Sequence, residues 1–425
     1  MGPAGPTSGM RGLAERLRAV REDLSVLRGN FLVLMTTWVL WRFAFRMVWP
    51  YESLYIRALG ASPTILGLMN SIYMALFCLS LIPGSYVADR WGRRRIIVVM
   101  TYALGLSYLF YALAPSWSLV LVGMSVMAFC RIYSPALQAI TADSLPPEKR
   151  GLGYALTNVL PDLFAIASPL VAVLIIRTYG FLQGMRIAYL SVVLAALAAG
   201  TIRLVFLEET ISPRPPAGGG LLKVYSESLR EMIKALREAP RSLKAIIFVP
   251  LLVFPFTNSL WAFIPLFVVD YAGVSEEEWG LMSSVRTGFS LAVGLAFGKL
   301  ADKLSRRKLV VASYLMRSVA VVALVLVSGF IQVLLVLLAI DAVFNLFMPS
   351  ISALRADLTP REVRGRVLGA NMLVRSLASI PAPFLVGFLY EHVSPRLVFY
   401  LVGALSLVVA VLLALLVEEP EEREV

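Results

Sequence analysis

The chain is poor in the residues that build soluble catalytic and metal sites. Its 425 residues include one histidine, His392, and two cysteines, Cys78 and Cys130. That supply excludes a His/Cys metal centre, and a single histidine at the end of an apolar run leaves no Ser-His-Asp constellation. Both cysteines fall inside apolar runs and give no disulfide framework, so they do not fix a redox compartment. Gly294 to Lys299 is one residue short of a phosphate-binding loop, with Leu300 where Ser or Thr would hold magnesium. No enzyme, cofactor or metal is expected. Charge is scarce too, at 16% of residues against 59% apolar. A soluble core of this length does not need so much apolar surface, so lipid must solvate it.

What is present are apolar runs of membrane-crossing length between short charged loops. Twelve are read, near 30–58, 63–88, 95–114, 117–142, 152–177, 184–207, 243–271, 276–301, 309–330, 331–356, 365–390 and 395–417. The net charge of +12 raises the question of nucleic acid. Its placement answers it: basic residues gather at Arg11 to Arg28, Arg90 to Arg95, Lys223 to Lys244 and Arg355 to Arg366. The alternate loops hold few, such as Arg57, Arg177, Arg186 and Arg396. This asymmetry is the positive-inside pattern and places both termini and the central linker in the cytoplasm, with the lipid bilayer and not nucleic acid as the partner. Residues 1–29 form an amphipathic segment rather than a signal peptide, since the first run contains Arg42 and Arg46. Residues 30–207 and 243–417 are two six-span bundles, joined by a Pro/Gly-rich linker at 208–242 and followed by a tail at 418–425.

The halves repeat each other. Gly67, Leu68, Met69 and Asp89 return as Gly280, Leu281, Met282 and Asp302, offset by 213. Pro135, Asp143, Pro146, Glu148, Arg150, Gly151 and Pro169 return as Pro349, Asp357, Pro360, Glu362, Arg364, Gly365 and Pro383, offset by 214. A parallel repeat of six spans is the architecture of a two-fold transporter.

After the second span, Asp89, Arg90, Gly92, Arg93 and Arg94 match the loop signature of the major facilitator superfamily, with Ser85 in place of its first Gly. Gly298 and Asp302 repeat part of it, with Ser305 in place of the second Gly. Together with Pro146 to Gly151 and Pro360 to Gly365, these motifs make the chain resemble that superfamily over nearly its whole length. The resemblance implies an all-helical fold of twelve spans in two pseudo-symmetric halves, and a cytoplasmic gate. In it Asp89 meets the start of the eleventh span and Asp302 the start of the fifth, where free N–H groups favour an anion. Arg90, Gly92, Arg93, Glu148, Arg150, Arg306, Glu362 and Arg364 complete the expected gate. For the arginines alone, plain positive-inside orientation is the competing reading.

Ionisable groups deep in a span are costly and point to function. Arg42, Arg131, Arg286 and Arg375 fall near mid-membrane, with Arg46 a turn from Arg42, and Asp162 and Asp341 at similar depth. Arg317 is a doubtful member, because the resemblance turns the ninth span to lipid. The inventory suggests a cationic cavity that binds an organic or phosphorylated anion through Arg42, Arg46, Arg131, Arg286, Arg375 and Asn345, the last standing where the repeat puts Arg131. The competing reading ties these arginines to Asp162, Asp341 and backbone carbonyls as structural pairs. Asp162, Asp341 and Glu52 are the candidates for proton coupling, His392 being at the rim. Trp49, Tyr51 and Tyr55 fit either a ligand wall or an interfacial belt. The function expected is secondary active transport of a small molecule across the plasma membrane by a monomer, coupled to protons or another ion. Export of lipophilic compounds and a non-transporting sensor remain as alternatives.

Overall fold

The computed structural model describes residues 26–211, 230, 233–234, 236–359 and 363–418, without the side chains of 81–90, 295 and 298–303. The expected amphipathic segment, most of the linker, the end of the tail and the side chains of Asp89, Arg90, Asp302 and Glu362 lie outside the described residues.

Among the described residues all regular structure is helical. In order, the spans are Gly29–Ala58, Pro63–Trp91, Arg93–Ala112, Trp117–Asp143, Pro147–Tyr179, Phe181–Phe206, Arg241–Tyr271, Glu276–Lys303, Arg306–Leu326, Phe330–Asp357, Arg364–His392 and Pro395–Leu416. Eleven qualify as membrane-crossing by length and apolarity. The eighth, Glu276–Lys303, is long enough but opens with Glu276, Glu277 and Glu278 and carries Arg286 at its centre. Lipid alone would not hold it; its neighbours do.

Proline breaks several spans where the chain needs a bend, because it removes a helical N–H and clashes with the preceding turn. The fifth is split into Arg150–Ala165 and Ser168–Tyr179, with Pro169 in the first turn of the second piece. The eleventh is split at the repeat-equivalent place, into Arg364–Ala378 and Ala382–His392. The fourth is interrupted by a 3-10 turn at Arg131–Tyr133, whereas its partner, the tenth, runs unbroken through Pro349. Gly180, at φ +75°, turns the fifth span into the sixth in one residue.

Spans three and six pack closely within the first bundle, as do nine and twelve within the second. Small residues allow it: a Cβ added at Gly105 would sit 2.5 Å from Ala196 Cβ, and one at Gly403 2.6 Å from Val322 Cγ2. The outer faces of these spans are apolar, with Leu407, Val411 and Leu415 exposed along the twelfth at helical spacing. The bundles meet through spans two against eleven and five against eight, the two contacts being equivalent under the repeat.

Candidate substrate cavity

The bundles touch at the rim where the second and eighth spans begin. Arg57 pairs with Asp270, Arg177 with Glu277, and the Glu391 carboxylate accepts from Ser62 Oγ at 2.7 Å and Thr64 N at 2.8 Å. Trp279 Nε1 donates to Pro50 O at 2.8 Å. Arg57 and Asp270 are 213 positions apart, so they are the same site of the repeat with opposite charge. Arg177 and Glu391 are equivalent too, and their targets sit on the second and eighth helix starts. None of these residues was expected at a gate; the signal was opposite charge at equivalent offsets. At the far rim, carrying Arg93, a Cβ added at Gly151 or Gly365 meets nothing within 4 Å among the described residues.

Between the bundles lies a cavity of about 1300 Å³ whose wall runs from Glu52 and Trp279 toward Ala155, Gly294 and Pro349, nearer the Arg93 rim. Two carboxylates line it from opposite bundles. Asp162 Oδ1 lies 3.5 Å from Arg42 Nε and 3.6 Å from Arg46 Nη2, with Arg46 over the Trp49 ring at 5.4 Å. Asp341 takes a bidentate fork from Arg286, Nε to Oδ2 at 2.7 Å and Nη2 to Oδ1 at 2.9 Å. The Arg286 guanidinium stands between Trp261 and Trp279, 5.6 and 5.7 Å from their centroids. Asn345 is tied to the same helix, its Nδ2 donating to Asp341 O at 2.8 Å. Glu52 faces the cavity and accepts from Tyr111 Oη at 3.1 Å, with no ion pair among the described residues.

Of the expected binding residues, Arg46, Arg286 and Asn345 line this cavity, and Arg42 joins it through Asp162. Arg131 and Arg375 are not on its wall. Arg131 sits by Tyr73, Tyr108 and Tyr133, while Arg375 lines a smaller pocket inside the second bundle. The three central arginines thus share two carboxylates, Arg42 and Arg46 on Asp162 and Arg286 on Asp341, whereas Arg131 and Arg375 have none among the described residues.

The Major Facilitator Superfamily profile matches residues 34–275 and 246–425. The chain belongs to that superfamily. It is 21% identical to an uncharacterized MFS-type transporter of Methanocaldococcus jannaschii, over 95% of this chain and 99% of the relative. It is 22% identical to the multidrug resistance protein MdtG of Enterobacter lignolyticus, over 87% of each. The fold is also that of the human organic anion transporter MFSD10, with a TM-score of 0.63 and 17% identity over 90% of this chain and 98% of that one. The protein is thus a multi-pass membrane transporter, and its relatives and fold indicate no catalytic family.

Several of the described superfamily loop residues make contacts within their own bundle. Arg93 pairs with Asp143 and Arg306 with Asp357, so the third and ninth spans are clamped to the fourth and tenth at repeat-equivalent places. Gly92, at φ +85°, lets Glu209 Oε2 approach the start of the third span, where it accepts from Arg94 N at 2.9 Å. Arg364 Nη2 donates to Ala356 O and Thr359 O, at 2.8 and 3.2 Å, tying the start of the eleventh span to the end of the tenth. Glu148 and Arg150 are exposed. The clamp aspartates Asp143 and Asp357 and the arginines Arg93 and Arg306 all recur in the repeat, but which of them pair does not show in the sequence.

Proposed function

We propose that the protein is a proton-coupled secondary transporter of organic anions that works by rocking its two bundles about the central cavity, with both termini cytoplasmic and the Arg57 rim outside. One observation carries the reading: two carboxylate–guanidinium pairs face one cavity from opposite bundles. The Asp341–Arg286 pair is neutral as it stands, while Asp162 is shared by Arg42 and Arg46. At the neutral Asp341–Arg286 pair, an anion entering alone would leave an excess negative charge and a proton entering alone an excess positive one; both are costly. Protonation of Asp162 or Asp341 frees its guanidinium, and a carboxylate or phosphate oxygen pair of the substrate takes the vacated fork. The net charge of the cavity is then unchanged, so substrate and proton cross together, one proton for each negative charge. The direction follows the gradients. In this scheme Arg46 and Arg286 bind substrate, Asp162 and Asp341 carry protons, and Glu52 is held in reserve by Tyr111.

The test uses purified protein in phosphatidylcholine liposomes holding a pH dye, with the membrane potential clamped and a panel of impermeant aryl phosphates and carboxylates added outside. Saturable proton entry with at least one anion, insensitive to the potential and lost in Asp162→Asn or Asp341→Asn, is expected. Anion entry without protons, or an entry rate that follows the potential, removes the proposal. Export of lipophilic compounds is the second reading. It is favoured by Trp49, Trp261, Met124 and Met348 on the cavity wall and by the relative named for multidrug resistance. Proton-driven movement of ethidium in the same liposomes, without anion movement, would select it.

A further inference from the structure

Inside the second bundle, a pocket of about 80 Å³ opens beside the central cavity, sharing Asn258, Trp261 and Phe344 with it. Arg317 of the ninth span and Arg375 of the eleventh line it. Arg355 of the tenth lies near, and all three cations act electrostatically on the Tyr314 hydroxyl. Arg317 and Arg355 are only 9% and 8% exposed. None of the three forms an ion pair among the described residues, and Arg355 Nε and Arg375 Nε are buried without any hydrogen-bond partner.

Several other deep arginines have carboxylate or hydroxyl partners. Arg42, Arg46 and Arg286 have carboxylates, and Arg203 donates to Thr37 Oγ1 at 3.0 Å and Thr101 Oγ1 at 2.7 Å. In the side pocket aromatic rings cover the guanidinium faces instead: Phe254 lies 3.5 Å from Arg375 Cζ, and Phe347 and Tyr314 lie 4.7 and 4.9 Å from Arg317 Cζ. Stacking attracts the cation but leaves its in-plane N–H edge free for an acceptor. Three positive charges gathered in a low-dielectric bundle without a carboxylate are unfavourable unless a counter-ion arrives from outside.

We propose that this pocket is a second binding subsite, for the anionic headgroup of an amphiphilic phosphate or carboxylate, held between Arg317 and Arg375. Drug-sized ligands fill about 300 to 1,000 Å³, so only the headgroup fits here, and the apolar body of the ligand extends past Trp261 and Phe344 into the central cavity. The site deepens the transport reading, resting on it only in treating the cavity as the path by which the ligand arrives. A lipid phosphate and a soluble phosphate ester present the same headgroup chemistry.

The experiment titrates phenyl phosphate into the full-length protein in phosphatidylcholine nanodiscs, read by calorimetry and tryptophan quenching. Saturable binding is expected, with none for benzyl alcohol at the same concentrations. Arg317→Gln and Arg375→Gln should each weaken it about tenfold or more, the effect of losing one charge-assisted hydrogen bond. Phosphatidic acid in the disc competes if the headgroup is a lipid's and leaves the titration unchanged if it is soluble. No binding to the wild type, or equal affinity in both variants, overturns the proposal. Without ligand, Arg317→Gln should melt no lower than the wild type, because it removes an unpaired cation; a clear drop would mean that the protein itself neutralises Arg317 and would also overturn it. Retained phenyl phosphate binding with no proton entry in the liposome assay would reject the transport reading and keep this site; the reverse would reject the site alone.

Discussion

Closure of the Arg57 rim depends on Gly67, and its replacement should drive the bundles apart there. A Cβ at Gly67 would lie 2.2 Å from Pro383 O, 3.0 Å from Pro383 C and 3.1 Å from Phe384 Cα, all backbone atoms of the eleventh span. An ordinary C···O contact is about 3.3 Å, so the two spans must part by about 1 Å for one methyl group, and no rotamer change can relieve the clash. Overpacking of this kind is worth about 1 to 3 kcal/mol, which shifts a two-state ratio by about 5- to 150-fold. Gly67→Ala should therefore deplete the closed rim partly. Gly67→Trp exceeds the roughly 5.5 kcal/mol that inverts a 99:1 population and should remove it. At Gly280 the added Cβ meets Tyr51 Oη at 1.8 Å and Val173 Cγ2 at 2.5 Å, both side-chain atoms. Tyr51→Phe should thus restore much of the closure lost in Gly280→Ala, and no such rescue exists for Gly67→Ala. The assay places spin labels at Leu113→Cys and Leu326→Cys, equivalent exposed positions of the two bundles, with Cys78 and Cys130 replaced by Ala. Pulsed dipolar distances should lengthen in Gly67→Trp. An unchanged distance distribution in a well-folded Gly67→Trp protein would refute the reasoning.

Two further outcomes follow from the ion pairs. Arg286→Gln leaves the Asp341 carboxylate, 10% exposed, without its cation; a loss of about 3 to 5 kcal/mol is expected, with most of the melting temperature regained in Arg286→Gln/Asp341→Asn. At the rim, Arg57→Asp or Asp270→Arg alone should open the same label pair, whereas the double swap, which exchanges charges between repeat-equivalent sites, should restore the short distance.

Much of the fold was legible because lipid imposes a simple rule: each crossing must be a helix of sufficient apolar length. The eighth span shows the limit of that rule, since Glu276 to Glu278 and Arg286 are tolerated only by the cavity and by Asp341. Asp162, Asp341 and the deep arginines stood out by cost alone. Which arginine meets which carboxylate did not, because a helix face gives direction but not the rotation and bend of its neighbour. Arg317 appeared to face lipid by its place in the ninth span, yet it turns onto Tyr314 and Phe347. The side chains expected to form the inner latch, Asp89 and Asp302, lie outside the described residues, and the contacts between bundles that the described residues show lie at the other rim.

The sequence by itself determined the helical membrane class and the two-fold repeat, because hydropathy and periodicity are local properties of the chain. It also marked the small set of buried charges. Only the tertiary structure decided that the central arginines meet carboxylates across spans one and five and spans eight and ten, and that Arg317, Arg355 and Arg375 gather without a carboxylate among the described residues. The physical reason is distance: charge compensation acts over a few ångströms between residues more than fifty positions apart, and only packing brings them there.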